Sequence, residues 1–330
     1  MDSTGSEPKP VQEPLTIQSA SDKFQADAKA QQLSEATVYK YSLLFKQLKA
    51  FAEERGLRYL SELDLPLLDE FRSTWKDGPR SSAKKLERLR AFLRFAVDRE
   101  WITKNPATKM KSPRVTLCPT LPYTREEMLR ILASIDGYRD EFQTRGKENA
   151  LRLRGLVLLL RYSGMRIGDA VSLTSDRIEG NRLLLYTAKT GTPVNTVLPD
   201  FVLKALDATP KVTDRYFFWS GTNRLETIVG SWRKRLAKVF ELAKVTKGHA
   251  HRFRDTFAVE LLLSGVPIER VSVLLGHQSV RITEKHYSPW VRSRQEQLEQ
   301  DLKRVWQQDP VALMESKGTP QVHGKNGRIN

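Results

Sequence analysis

The chain has 330 residues and carries 55 Lys and Arg against 39 Asp and Glu, a formal net charge of +16. Hydrophobic residues make up 39 %, enough to bury the cores of two ordinary domains. Charge of this sign and size suits a polyanion, nucleic acid first. A single cysteine, Cys118, excludes a disulfide scaffold and a Cys-rich zinc site.

Residues 1–20, polar and rich in proline, read as a disordered lead with no apolar stretch suited to a signal peptide. No window is apolar for long enough to span a bilayer, so no membrane partner is expected. Cytoplasmic placement, at the nucleoid, suits the thiol count and the charge. Cys118 lies in VTLCPTLP with no histidine near in sequence, so it is not expected to act as a nucleophile.

Residues 21–109 read as an all-helical domain. Tyr41, Leu44, Leu48 and Phe51 recur at helical spacing and Gly56 follows as a stop. Asp64 can cap a second helix with Leu68, Phe71 and Trp75 on its stripe. A third, from about Ser81 to Glu100, presents Leu86, Leu89, Leu93 and Ala96 on one face. The same stretch is basic. Lys84, Lys85, Arg88, Arg90 and Arg94 on the helix, with Lys109, Lys111 and Arg114 after it, are candidate contacts to a DNA backbone. Residues 110–122 hold Pro113, Pro119 and Pro122 and read as a basic, extended linker.

A second domain is expected over residues 123–307. Thr124 and Glu127 form a capping box. A long helix from about Glu148 to Tyr162 stops at Gly164, and a short one starts near Ile167. Arg182–Thr187 and Val194–Leu198 read as a β-hairpin with Lys189 at its mouth. Helices follow over about Arg224–Ala243, Phe253–Leu263, Ile268–Leu275 and Ser279–Tyr287, the last ended by Pro289. A polar helix over 290–307 carries a narrow stripe of Leu298, Leu302 and Trp306, suited to docking on this chain or a neighbour. Residues 308–330 read as a disordered tail. The fold class is mainly α with a small β-sheet.

Four of the five histidines, His249, His251, His277 and His286, fall between residues 249 and 287. Arg166 and Asp169 lie in GMRIGD, and Arg254 follows His251 by three residues. Arginine suits phosphate because its planar fork offers paired donors and keeps its charge. Tyr287 is a candidate nucleophile, a weak one unless a base and a cationic pocket assist it. Lys189 can supply a proton to a leaving alkoxide. Asp169, one helical turn from Arg166, can orient it. Singly, each has a plainer role: a helix stop, a core tyrosine, a turn lysine. Their joint order is specific.

In that order, the chain resembles the tyrosine recombinases, the phage-integrase family of XerC/XerD-like site-specific DNA recombinases. The resemblance covers about Ser21 to Trp306 and is strongest in GMRIGDAVSL, AKTGTPV, HRFRDTFA, LLGHQS and TEKHY. Phe253 stands where the family often has Leu. The family's active set falls on Arg166, Lys189, His251, Arg254, His277 and Tyr287, with Asp169 supporting the site from behind. The resemblance implies a helical SAM-like core-binding domain and a mixed α/β catalytic domain, forming a C-shaped clamp on double-stranded DNA. It implies attack by Tyr287 to give a 3′-phosphotyrosyl bond and a free 5′-hydroxyl. Arg166 and Arg254 would clamp the phosphate, His251 and His277 would hydrogen-bond it, His251 would take the tyrosine proton, and Lys189 would be the general acid. No cofactor and no metal are implied. The expected assembly is a homotetramer on two DNA sites, with residues 290–307 exchanged between neighbours and with an accessory DNA-bending or directionality protein as a further partner. Two readings stay open beside it, a type IB topoisomerase and a DNA-binding regulator that no longer cleaves. A metal-dependent nuclease is a weaker third. Order starting near residue 20 leaves no room for a large preceding arm-binding domain, and the tail after Trp306 points toward a mobile element.

Overall fold

The computed structural model describes residues 14–115, 121–138, 146–188 and 190–311. Two compact units divide at Leu117/Cys118. The expected lead 1–13, Cys118, the hairpin lysine Lys189 and the tail from 312 lie outside the described residues.

The first unit is helical: α1 (Ile17–Ala30), α2 (Glu35–Glu54), α3 (Leu65–Ser73) and α4 (Pro79–Asp98). α1 was not legible in the pattern. It begins four residues inside the expected lead, where Thr16 accepts from the Ser19 N–H at 3.1 Å as an N-cap. Ile17, Ala20 and Phe24 of α1 pack into the core of this unit. Phe24 meets Phe45 and Phe92 edge-on at 5.6 Å between centroids in each case, and Phe45 meets Phe92 at 4.8 Å. Each such ring contributes on the order of 2 kcal/mol by leaving water. Gly56, at φ +67°, turns the chain out of α2, and Asp64 accepts from the Leu67 N–H at the start of α3, as the residue types predict.

The helical unit also continues past residue 109. Met110 is buried in its core, and Arg90 holds the following segment, donating to the Ala107 carbonyl at 3.0 Å and to the Met110 carbonyl. The stretch expected to be linker is therefore partly core.

The second unit contains α5 (Arg125–Asp136), α6 (Gly146–Ser163), α7 (Ile167–Val171), β1 (Ile178–Glu179), β2 (Arg182–Tyr186), β3 (Pro193–Val197), α8 (Asp200–Asp207), α9 (Leu225–Leu242), α10 (Ala250–Leu263), α11 (Ile268–Leu274) and α12 (Val280–Gln308). The sheet is antiparallel in the order β1-β2-β3, with Leu184 opposite Asn195 and Tyr186 opposite Pro193. Leu183 and Leu185 point into the core while Leu184 and Tyr186 face out, the alternation a one-sided sheet requires. The unbroken apolar run Leu156–Leu160 is explained by α6, which is buried on every side there.

α12 departs from expectation. It runs unbroken through Pro289, so the two helices expected around that proline are one. A proline in a helix interior removes one backbone hydrogen bond but does not oblige the helix to end. Leu298, Leu302, Val305 and Trp306 on its far half are exposed rather than docked on described residues of this chain.

Candidate active site

Tight turns place the two arginines. Gly164 ends α6 at φ +65°, and a Cβ there would lie 2.4 Å from the Phe257 ring of α10. Only glycine allows both that left-handed backbone and that approach. Arg166, extended at φ −71° and ψ 146°, then sits at the N-cap position of α7. Its Nη1 is buried and has no hydrogen-bond partner among the described residues. Such an orphan is uncommon and suits a ligand that brings its own acceptor.

Arg254 projects from α10 and is 3 % exposed. Its Nη1 donates to the Gly164 carbonyl at 2.8 Å, and its Nη2 donates to the Leu275 carbonyl at 2.6 Å and to His277 Nε2 at 2.9 Å. Those bonds use three of the five guanidinium N–H groups and leave Nε and one Nη1 hydrogen for a phosphate. Burial, then the neighbouring Arg166 cation, lowers Arg254 to about 10, still fully charged near neutrality.

His277 has a different place from the one expected. Arginine can only donate, so Nε2 must accept and the ring proton must sit on Nδ1, which donates to Thr283 Oγ1 of α12 at 2.8 Å. Both nitrogens are engaged, and the ring braces Arg254 against α12. Burial and the flanking Arg254 and Arg166 push its pKa down to about 3, so the ring is neutral. The Gly-His pair is also explained. Gly276 has φ +61°, and a Cβ there would lie 2.7 Å from Val194 and 3.0 Å from Thr187 of the hairpin.

Asp169 does not pair with Arg166 among the described residues. Its Oδ1 accepts from the Ala188 N–H at 2.9 Å and so pins the backbone one residue before Lys189. The carboxylate thus positions the hairpin mouth rather than the arginine. A groove of about 550 Å³ is lined by Arg166, Asp169, Ala188, Arg233, His249 and His251. Arg233, on α9, was not singled out in the sequence; it joins Arg166 as a second arginine of the groove lining.

Tyr287 is 3 % exposed and lies in a small core with Val259, Leu262 and Val271. Its hydroxyl donates to Asp255 Oδ1 at 2.8 Å. Burial, then the Asp255 charge, raises the phenol well above its ordinary value, opposed by Arg254 and Arg166. His251, one turn before Asp255 on α10, has its Nε2 3.8 Å from the same oxygen. Desolvation lowers the His251 imidazole while Asp255 pulls it back up. Asp255 was passed over in HRFRD; its i+4 spacing from His251 was the available signal.

Arg252 was also missed. It donates to the Leu121 and Pro122 carbonyls at 2.8 and 3.1 Å and pairs with Glu127 at 2.7 Å, fastening the start of this unit to the helix that carries Arg254. His249, at the groove wall, has its Nδ1 bonded to the Lys247 carbonyl, and His286 is exposed.

Two candidate DNA contacts in the first unit are already committed to structure. Arg90 straps the 107–112 segment, and Lys85 pairs with Asp77, donates to Gln47 at 2.8 Å and covers the Trp75 ring. Lys84 is exposed but paired with Glu87 at 2.7 Å. Arg94, Lys109, Lys111 and Arg114 are exposed and have no side-chain partner among the described residues, and Arg88 is half-buried. Among the described residues no group of three His, Cys, Asp or Glu could hold a metal ion, and no helix is long and apolar enough to cross a membrane.

The profile of the phage integrase family matches residues 123–290, and that of the phage integrase SAM-like domain matches residues 19–112. Tyrosine recombinase XerC of Chlamydia muridarum is 25 % identical over 282 residues, which is 75 % of this chain and 85 % of that one. Tyrosine recombinase XerD of Staphylococcus haemolyticus is 23 % identical over 267 residues, 76 % of this chain and 87 % of that one. The fold is shared with a lambda integrase dimer bound to a COC′ core site, at a TM-score of 0.66 and 16 % identity over 86 % of this chain and 82 % of that one. It is shared equally with the XerH recombinase bound to palindromic difH, at a TM-score of 0.65 and 18 % identity over 86 % and 84 %. With both units matched in order and the arginine site between α6, α10 and α12, the chain belongs to the phage integrase family, as a tyrosine recombinase of the XerC/XerD type and an enzyme of DNA strand exchange.

Proposed function

We propose that Tyr287 attacks a scissile DNA phosphate held by Arg166 and Arg254, forming a 3′-phosphotyrosyl bond and releasing a 5′-hydroxyl. The observation that carries this is the unpartnered Arg166 Nη1, buried in the same site as a buried Arg254 that keeps donors free. Two fixed guanidinium groups offset the charge that builds on the phosphate oxygens, a contribution of several kcal/mol in a water-poor site. Lys189, on the hairpin that Asp169 and Gly276 hold, protonates the departing 5′ oxygen. His251, at the groove wall, donates to the phosphate, and His277 keeps Arg254 in register. The covalent bond conserves the phosphodiester energy for rejoining.

Double-stranded DNA is the partner, consistent with the +16 charge and with relatives solved on DNA. Lambda integrase has also been solved as a tetramer on a Holliday junction. We assign this chain the same stoichiometry on two sites, with residues 290–307 of α12 exchanged between copies; the exposed Leu298, Leu302 and Trp306 supply the docking face. Arg94, Lys109, Lys111 and Arg114 contact backbone phosphates. An accessory DNA-bending or directionality protein, and residence at the nucleoid, complete the reading.

The test is a set of nicked suicide duplexes tiled from DNA flanking the gene, incubated with the protein in EDTA. The expected product is an SDS-stable protein–DNA adduct that Tyr287→Phe abolishes. An adduct that persists in Tyr287→Phe, or that EDTA removes, refutes the assignment.

A further inference from the structure

The phosphate clamp explains where charge is stabilised but leaves open where the nucleophile's proton goes. The phenol stays protonated at rest, because burial and a neighbouring carboxylate both hold its proton on. A base is therefore needed during attack. His251 shares the turn of α10 below the tyrosine, yet the phenolic hydrogen bond is made to Asp255.

Asp255 is 5 % exposed, and its second oxygen, Oδ2, is buried with no hydrogen-bond partner among the described residues. A buried carboxylate oxygen left bare is costly unless something makes use of it. Its other oxygen, Oδ1, bonds the Tyr287 hydroxyl and stands 3.8 Å from His251 Nε2. The nearby ion pairs of α10 are made by Arg252 with Glu127 and by Arg161 of α6 with Glu260. Among the described residues the charged and titratable groups around it include His251 and Arg254 on its own helix, Tyr123 before α5, and Tyr287 on α12, with Arg166 close to the same groups. Two hydrogen bonds one turn apart fix α12 in register against this wall, Thr283 to His277 and Tyr287 to Asp255.

We propose that Asp255 is the catalytic proton acceptor for Tyr287. As the bond from Tyr287 Oη to phosphorus forms and the bond from phosphorus to the 5′ oxygen breaks, the phenolic proton passes to Asp255 Oδ1. The departing 5′ oxygen takes its proton from Lys189. In rejoining, the 5′-hydroxyl returns its proton to Lys189 and Asp255 returns its own to the leaving phenolate. His251 is then free to serve the phosphate alone.

This assignment rests on Tyr287 as the nucleophile. The rate of adduct formation on a suicide duplex is compared for the wild type and Asp255→Asn, which keeps the shape and an acceptor oxygen but cannot take the proton. The expected loss is about 10²–10⁴-fold, the usual range for a general base, with DNA affinity unchanged. Replacing Tyr287 by a difluorotyrosine, whose phenol is more acidic, should recover about tenfold or more in Asp255→Asn, because a better-leaving proton needs less help. Cleavage by Asp255→Asn at or above the wild-type rate overturns the proposal and marks Asp255 as a restraint on the phenol. A slow Asp255→Asn that difluorotyrosine does not help also overturns it, as a merely structural loss. If Asp255→Asn does not fold, difluorotyrosine in the wild type decides alone. With the base in place the rate should change by less than about threefold, and a much larger acceleration refutes the assignment. Loss of the adduct in Tyr287→Phe tests the underlying reading separately. Failure there removes the nucleophile; failure of the Asp255 tests alone leaves it standing.

Discussion

Replacing Gly164 by alanine should damage stability and chemistry together, for separable reasons. At φ +65° an alanine pays about 1–2 kcal/mol for a left-handed backbone. Its Cβ would also sit 2.4, 2.9 and 3.1 Å from three atoms of the Phe257 ring. Relieving that overlap means moving a ring on α10, a further loss of about 1–3 kcal/mol. The sum, about 2–5 kcal/mol, approaches half the stability of a typical domain. It should lower the melting temperature of the catalytic unit by about 4–20 °C. Denaturant unfolding of four chains checks the arithmetic: wild type, Gly164→Ala, Phe257→Ala and the double variant. In the Phe257→Ala background the glycine substitution should cost only the backbone part. An equal penalty in both backgrounds refutes the clash, and a penalty below about 0.5 kcal/mol refutes the whole argument. Cleavage should fall further than stability explains, since the Gly164 carbonyl anchors Arg254 and the next turn sets Arg166.

Two further outcomes follow from the same site. Asp169→Ala should slow cleavage about tenfold or more with DNA binding retained, because a charge-assisted bond of about 1.5–3 kcal/mol no longer holds Ala188 and the lysine after it; Asp169→Asn, which keeps an acceptor, should lose less, and single-turnover rates separate the two. His277 has a folded-state pKa near 3, below its unfolded value, so the unfolded chain binds more protons as pH falls through about 6.5. The stability this gives is complete above that pH and lost progressively below it, so unfolding midpoints from pH 7 to pH 4 should fall less steeply in His277→Gln than in the wild type.

Where a signal was local, the sequence carried it. Gly56 and Gly164 marked helix ends because a left-handed turn needs a residue without Cβ. Thr124 and Glu127 marked a helix start because their reciprocal bonds span only three residues. Arg166, His251, Arg254 and Tyr287 stood out as a candidate set from residue type and order, and the fold brings them together. α1 was not, because its polar residues dilute a stripe that only α2 and α4 complete. Pro289 misled because a proline weakens a helix locally, whereas continuation through it is decided by the rest of the helix and its packing.

Chemical inventory and order belong to the sequence by itself: a basic chain, two domains, and a recombinase's set of arginines, histidines, lysine and tyrosine. Partnership was decided only in three dimensions. His277 bonds Arg254, Asp169 bonds the hairpin backbone at Ala188, Arg90 straps the segment after it, and Lys85 pairs with Asp77. Asp255, the residue after Arg254, accepts from the tyrosine hydroxyl across 32 residues of chain. The reason is physical. A side chain's chemistry is fixed by its atoms, but a hydrogen bond is fixed by distance and direction, and those exist only after distant helices have packed.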